Sequence, residues 1–493
     1  MTDNPPAAER RPTGIAGLDR ILGGGLLAAG LYIVQGPPGA GKTILGNQMC
    51  FHHASTGGRA VYVTLLAESH SRMFRHLGGM TFFDETAIPE RVYYLGGYSA
   101  LESKGLGALV TLIRQAIQKH KATLLVVDGL VSAQESSATD REFKQFLHEI
   151  HALSELTGCT VLLLTNVERA SGVYPEHTVV DGVLHLTDEL SELRPLRHIR
   201  VLKMRGTAPV RGLHSVRISD KGIEVWPRIE TLLPQGPHPQ GRAAVAPKQG
   251  FGIAELDGML RGGVRAGSVT MLLGSSGSGK TLLGMQFLSE GLKRGERAVY
   301  FGFFERPEAI LAKCRRVGIG GLEEGVERGA AQIVWHRPVE GVLDELGDSL
   351  IETVRKHRAD RLFLDGMQGF ERAADFPERL SDVYSALARE LESLGVTTLY
   401  TTETRELFAR NIEVPITGLS AATQNIILLR HIEHHAAMLR VLAILKIRDD
   451  DYDGRMRELR ITDAGLRLLD TFGAETRVVS GGGVARDSPG ADD

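Results

Sequence analysis

Two stretches of this chain have the residue types and spacing to grip a polyphosphate. Gly36-Pro37-Pro38-Gly39-Ala40-Gly41-Lys42-Thr43 follows the apolar run Leu31-Tyr32-Ile33-Val34, and Gly274-Ser275-Ser276-Gly277-Ser278-Gly279-Lys280-Thr281 follows Val269-Thr270-Met271-Leu272-Leu273. Both keep glycine, four residues, then Gly-Lys-Thr. In a strand–loop–helix setting the glycines let backbone N–H groups turn inward around phosphates, and the helix aims its N-terminus at the negative charge. The lysine reaches the β- and γ-phosphates and the threonine hydroxyl holds Mg²⁺. The candidate nucleotide-binding residues are therefore Gly36, Gly39, Gly41, Lys42, Thr43 and Ile44, and Gly274, Gly277, Gly279, Lys280, Thr281 and Leu282.

Acids recur in step with the loops. Leu124-Leu125-Val126-Val127 ends in Asp128, and Leu362-Phe363-Leu364 ends in Asp365. A carboxylate at a strand's carboxyl end can hold a Mg²⁺-bound water while Thr43 or Thr281 contributes directly to the ion. Either aspartate could instead cap the next helix, but a phosphate loop in the same half favours the metal role. Hydrolysis also needs a group that orients or deprotonates water. Glu68 and Glu305 follow the strand after each loop helix. Glutamate usually ends on a solvated surface, yet recurrence in register favours catalysis here. Lys203-Met204-Arg205-Gly206-Thr207 and Lys446-Ile447-Arg448 form a third pair of segments. Lys-x-Arg on a strand puts both charges on one edge. That suits a phosphate, but also an ordinary solvated face, which the residues alone slightly favour.

The elements that must position these groups are repeated. Lys42 and Lys280 lie 238 positions apart, as do Asp19 and Asp257, whereas the Asp128/Asp365 and Glu68/Glu305 pairs lie 237 apart. An internal duplication is the economical explanation. Short continuous apolar strands at 60–64, 159–165, 298–302 and 397–402 alternate with amphipathic helices at 109–119 and 380–394. This pattern predicts an α/β fold in which each half is a buried, mostly parallel sheet flanked by helices. Each half closes on a hairpin-like segment, 199–225 and 441–469. The expected organisation is a flexible tail (1–12), a first domain (13–229), a Pro/Gly-rich linker (230–249), a second domain (250–472) and a flexible C-terminal tail (473–493).

Composition narrows the class. The chain has 493 residues, too many for one ordinary core. Its 24% charged residues and 42% hydrophobic content suit a soluble globular protein. No apolar run is long enough to cross a bilayer and residues 1–11 hold no signal-peptide pattern, so the expected location is cytoplasmic with no membrane partner. Cys50, Cys159 and Cys314 are isolated in apolar segments and fit no metal-ligand spacing. The net charge of −3 argues against constitutive nucleic-acid binding.

With these residues assembled, the chain resembles the KaiC family of double-domain RecA-like ATPases. The similarity runs from about Pro12 to Leu469. It takes in Thr13-Gly14-Ile15-Ala16-Gly17-Leu18-Asp19, both phosphate loops and Leu202-Lys203-Met204-Arg205-Gly206-Thr207. It also covers Ile218-Ser219-Asp220-Lys221-Gly222 and Ile461-Thr462-Asp463-Ala464-Gly465. The resemblance implies two tandem RecA-like domains, ATP and Mg²⁺ as cofactors, and ATP-promoted homohexameric rings with nucleotide between subunits. It also implies that Lys203, Met204, Arg205, Thr207, Ser219 and Asp220, with Lys446, Ile447, Arg448, Thr462 and Asp463, approach the neighbour's nucleotide. Slow hydrolysis is implied for the first domain and, in some members, autophosphorylation in the second. There Ser420 matches the phosphorylated serine, while Ala421 replaces the adjoining threonine. Two further departures stand out. Ala67 and Phe304 occupy the place of a second glutamate, and Asp449-Asp450-Asp451 follows Arg448, where acid would repel a γ-phosphate unless a metal or the arginine intervenes.

The leading expectation is an ATP-hydrolysing, ring-forming signalling protein with Ser420 as candidate phosphosite and other signalling proteins as candidate partners. A RecA- or DnaB-like DNA motor would need basic loops and stacking aromatics along a channel, and no such cluster stands out. An ATP-dependent regulatory scaffold with little turnover is the third reading.

Overall fold

The computed structural model describes residues 9–66, 70–166, 176–191, 194–233, 246–337, 341–404, 423–435, 437–448 and 450–470. The chain divides into two compact units, 1–232 and 233–493.

In the first unit the run before the phosphate loop is strand β1 (Leu31–Gln35), buried throughout and in the middle of a nine-stranded sheet. The strands that follow in sequence are β2 (Ala60–Thr64), β3 (Val92–Gly96), β4 (Leu124–Asp128), β5 (Thr160–Thr165) and β6 (Gly182–Ser191). They pair in parallel with β1 in the order β6-β1-β5-β4-β2-β3. Beyond β6 the sheet continues antiparallel through β7 (Arg194–Met204), β8 (His214–Ser219) and β9 (Gly222–Trp226).

Helices α1 (Lys42–Ser55), α2 (Tyr98–His120) and α3 (Asp140–Thr157) cover the two faces. Successive strand side chains point to opposite faces. Accordingly Val161 and Leu163 of β5 join the core with Ile113 of α2 and Phe146 of α3, whereas Leu162 and Leu164 join Leu45 and Met49 of α1. Helix α2 starts well before residue 109, with a non-helical break at Gly105.

The second unit repeats the plan. Its strands are β10 (Val269–Gly274), β11 (Ala298–Gly302), β12 (Ala331–Trp335), β13 (Arg361–Asp365), β14 (Thr397–Glu403), β15 (Asn425–His434), β16 (Ala437–Ile447), β17 (Arg457–Thr462) and β18 (Gly465–Leu469). Their order, β18-β17-β16-β15-β10-β14-β13-β11-β12, is that of the first sheet with every strand advanced by nine. Helices α4 (Lys280–Lys293), α5 (Pro307–Arg316), α6 (Leu343–His357) and α7 (Leu380–Ser393) pack around it. The fold is thus the expected pair of mostly parallel sheets, each with a longer antiparallel extension than one hairpin.

Short pairings refine the segment ends. Arg10–Arg11, assigned from sequence to a flexible tail, pairs with Leu26–Leu27, because Arg10 also donates to the carbonyls of Leu22 (3.0 Å) and Gly25 (3.1 Å). Lys248–Gln249, at the end of the Pro/Gly-rich stretch, pairs with Val264–Arg265 inside the second unit. Ile229–Leu232, at its start, forms a short helix with Ile229 and Glu230 buried.

Candidate functional site

Each phosphate loop runs from the carboxyl end of its central strand into a helix beginning at the lysine. Gly41 and Gly279, the N-cap residues of α1 and α4, adopt left-handed φ of 98° and 104°, and neither helix has an acid in its first turn. The opening N–H groups can therefore face an anion. Gly36 and Gly274 are required by crowding: a Cβ there would lie 2.3 Å from the Leu186 carbonyl oxygen and 2.0 Å from that of Leu429.

The loop lysines are buried and folded onto their own loops. Lys42 Nζ donates to the carbonyl oxygens of Gly36 (2.8 Å) and Pro37 (2.7 Å), and Lys280 Nζ to those of Gly274 (2.9 Å) and Ser275 (2.7 Å). Burial lowers the Lys280 pKa, opposed by the nearby carboxylates of Glu403 and Asp365.

Beneath each loop stands a hydroxyl–carboxylate pair. Thr43 Oγ1 donates to Asp128 Oδ2 at 2.8 Å, and Tyr62 Oη donates to the same oxygen at 2.7 Å. In the second unit Thr281 Oγ1 (2.9 Å) and Tyr300 Oη (3.2 Å) donate to Asp365 Oδ2, while Thr401 Oγ1 donates to Oδ1 at 2.9 Å. Burial raises the Asp365 pKa and these three hydroxyls oppose it. A buried carboxylate touching the loop threonine is an oxygen donor set that fits Mg²⁺. Tyr62 and Tyr300 were missed from the sequence, although both lie 65 or 66 residues before their aspartate.

The second unit has a cavity of about 710 Å³ bordered by Gly279, Lys280, Glu305, Asp365, Glu403 and Arg440. Glu305 thus shares a cavity with the loop, and its carboxylate accepts a hydrogen bond from Lys313 Nζ. Glu403 Oε1 lies 3.7 Å from Lys280 Nζ, and Arg440 Nε donates to the Gly277 carbonyl at 3.0 Å. None of Lys313, Glu403 or Arg440 was picked out from sequence. Glu68 and Ser420 lie outside the described residues, as do Ala67 and Asp449.

The paired cations bond locally. Lys203 Nζ donates to the carbonyls of His177 and Val180 (both 2.6 Å), and Arg205 Nη2 to that of Thr178 (3.1 Å). Lys446 Nζ donates to the Thr423 carbonyl at 2.8 Å. Burial lowers the pKa of both lysines. Met204, Thr207 and Ile447 are half-buried, and Arg448 is exposed. Ser219 and Thr462 end β8 and β17 at hairpin turns that carry the exposed Asp220 and Asp463. Ser219 Oγ donates to Glu224 Oε2 at 2.9 Å, and Thr462 Oγ1 to the Gly465 carbonyl at 3.0 Å. The β8–β9 hairpin also touches its own loop. A Cβ on Gly41 would lie 2.8 Å from Ile218 Cδ1, and Gln48 of α1 bonds both the N–H (2.8 Å) and the carbonyl (3.3 Å) of Ile223.

Two acids of the run after Arg448, Asp450 and Asp451, have cationic partners. Asp450 Oδ2 lies 2.7 Å from Lys248 Nζ and 3.8 Å from Arg265 Nε, and Asp451 lies 3.3 Å from Arg261.

The family model for the KaiC ATPase matches residues 11–230 and again 250–471. The chain belongs to the KaiC ATPase family. It is similar to circadian clock oscillator proteins KaiC from Picosynechococcus sp. (26% identity over 95% of this chain and 91% of the relative) and Rippkaea orientalis (26%, over 95% and 90%). The KaiC of Prochlorococcus marinus is 26% identical over 96% of this chain and 95% of the relative. As a KaiC-family ATPase the protein has two tandem RecA-like domains, each with a phosphate loop. KaiC-family ATPases generally bind ATP with Mg²⁺. Among the described residues no helix is long and apolar enough to cross a membrane.

Proposed function

We propose that both domains bind Mg²⁺-ATP and that the first hydrolyses it slowly within a homohexameric ring. The observation that carries this reading is the contact of Thr43 with Asp128, and of Thr281 with Asp365, directly after a buried loop lysine. A loop lysine, a threonine and a carboxylate brought together in this way support nucleotide binding at both loops.

Lys42 and Lys280 exchange their loop carbonyls for β- and γ-phosphate oxygens, and the N–H groups opening α1 and α4 bind the remaining charge. Thr43 with Asp128, and Thr281 with Asp365, would hold a Mg²⁺ ion, which when bound would supply charge neutralisation at the phosphates. Glu68 and Glu305 orient the attacking water and accept its proton. A positioned base of this kind contributes roughly 10²–10⁴-fold. Lys203 and Arg205, with Lys446 and Arg448, complete the neighbouring subunit's site from across the ring interface. Met204, Thr207, Ser219 and Asp220, and Ile447, Thr462 and Asp463, border that interface.

In the second domain Ser420 is the acceptor for the γ-phosphoryl group. Its Oγ forms the new P–O bond as the bond to the ADP leaving group breaks, and its proton passes to solvent. Incubation with γ-labelled ATP and Mg²⁺ tests this step. Label that persists unchanged in Ser420→Ala would refute the site. Native mass with and without ATP tests the ring: six copies with ATP are expected, and a monomer under both conditions would overturn it.

A further inference from the structure

The glutamate assigned to water activation in the second domain has a cationic neighbour. Glu305 lies between β11 and α5, which Pro307 opens at its first turn. Two helical turns on, Lys313 reaches back and donates to Glu305 Oε1. Both side chains are 29% exposed and both border the cavity that holds Lys280, Thr281 and Asp365. In the first domain the residue eight positions beyond Glu68 is His76, which is exposed.

We infer that Lys313 is a positioning residue that restrains the second site, its ammonium holding the Glu305 carboxylate so that attack by water on the nucleotide at this site is slowed. This rests on the assignment of Glu305 as the water-activating group. A carboxylate that accepts a charge-assisted hydrogen bond has a lone pair engaged and its orientation fixed by the donor. A carboxylate so held is less free to turn to the water it must activate. The other nearby carboxylates are engaged as well: Asp365 by three hydroxyls and Glu403 by Lys280 at 3.7 Å. The residue before Glu305 offers no substitute. Phe304 is apolar, with the Arg372 guanidinium 5.6 Å from its ring centre.

The test uses the full chain carrying Lys42→Ala, which disables the first loop. Adding Lys313→Met should raise kcat for phosphate release severalfold, on the order of the lower end of a general-base effect. KM for ATP should stay within about twofold, and Lys313→Arg should return the rate to that of the Lys42→Ala parent. An unchanged or lower kcat, or a KM raised about tenfold, would overturn the inference, the latter assigning Lys313 to phosphate binding. A second measurement needs no turnover. Acetylation of Lys313 by an N-hydroxysuccinimide ester, mapped by peptide mass spectrometry in nucleotide-free protein, should be faster in Glu305→Gln. Equal acetylation would deny the ion pair. If Glu305→Gln, added to the Lys42→Ala/Lys313→Met chain, leaves its phosphate release unaltered while acetylation of Lys313 still speeds up in Glu305→Gln alone, the base assignment fails and the restraint falls with it, although the pair stands.

Discussion

Asp450 and Lys248 meet at 2.7 Å, joining the segment after β16 to the two-residue strand that opens the second domain. The Asp450 carboxylate is therefore satisfied before any phosphate arrives. The Lys248 hydrogen bond is the main cause that holds the Asp450 carboxyl below its ordinary range. A carboxyl with a depressed folded-state pKa stabilises the fold above its unfolded value and loses that contribution as pH falls through the folded value. Asp450→Asn should thus cost up to about 1 kcal/mol at pH 7, the range of partly exposed pairs. The gap should shrink once pH drops below the ordinary value of 3.8. Urea unfolding at neutral and acid pH checks this, and equal stability of parent and variant at pH 7 would refute it.

Loop lysines should not be equivalent. Lys42→Ala is expected to remove most phosphate release, on the order of 10²-fold, since a preorganised cation at the transferring group is typically worth several kcal/mol. Lys280→Ala should change total release much less, because Glu305 is engaged by Lys313. Steady-state phosphate assays on both variants decide it. If Lys42→Ala hydrolyses at the parental rate, the first domain is not the ATPase.

Equivalent helix glycines should respond differently to alanine. At Gly46 of α1 a new Cβ would sit 3.0 Å from Val126 and 3.1 Å from Leu164, but at Gly284 of α4 it would sit 2.2 Å from Phe363. Overpacking of a core typically costs about 1–3 kcal/mol, against a gain of about 1 kcal/mol from helix propensity. Gly284→Ala should therefore destabilise its domain measurably, whereas Gly46→Ala should stay near neutral. Thermal unfolding that ranks them the other way would contradict the packing described for α4 against β13.

Asp365→Asn should separate stability from function. Burial raises the Asp365 pKa, so in this case the folded state binds the proton more tightly than the unfolded chain. Stability then falls as pH rises from the unfolded pKa through the raised folded one. Removing the charge should stabilise the nucleotide-free protein at pH 7 while weakening Mg²⁺-dependent ATP binding at the second site about tenfold or more. A variant less stable than its parent, with Mg²⁺ dependence intact, would count against the metal role.

Much of the scaffold is legible in the sequence because its strands are buried on both faces. Leu124–Asp128 and Arg361–Asp365 are covered on both sides, so they appear as continuous apolar runs ending in acid. The loops and their aspartates are local signals repeated at one spacing. Helix α3 escaped notice because its residues are largely polar, although Thr139 accepts from the Glu142 N–H at 3.2 Å and Glu142 accepts from Ala138 at 2.8 Å. That Thr-x-x-Glu start was available to sequence. The partners of the cavity were not. Arg440 and Gly277 are 163 positions apart, and Thr401 and Asp365 are 36 apart. Such contacts exist only once β15–β16 and β14 have taken their places beside β10. The counter-ions of Asp450, Lys248 and Arg265, come from the far end of the domain and are out of reach of a local reading for the same reason.

The paired hydrogen bonds between Gln48 and Ile223 have a mechanical consequence. They fasten the phosphate-loop helix to a hairpin whose turn, at Ser219–Gly222, stands at the outer edge of the sheet. The phosphate-loop helix is thereby tied directly to the rim of its own sheet, by a connection that does not run through the central strands.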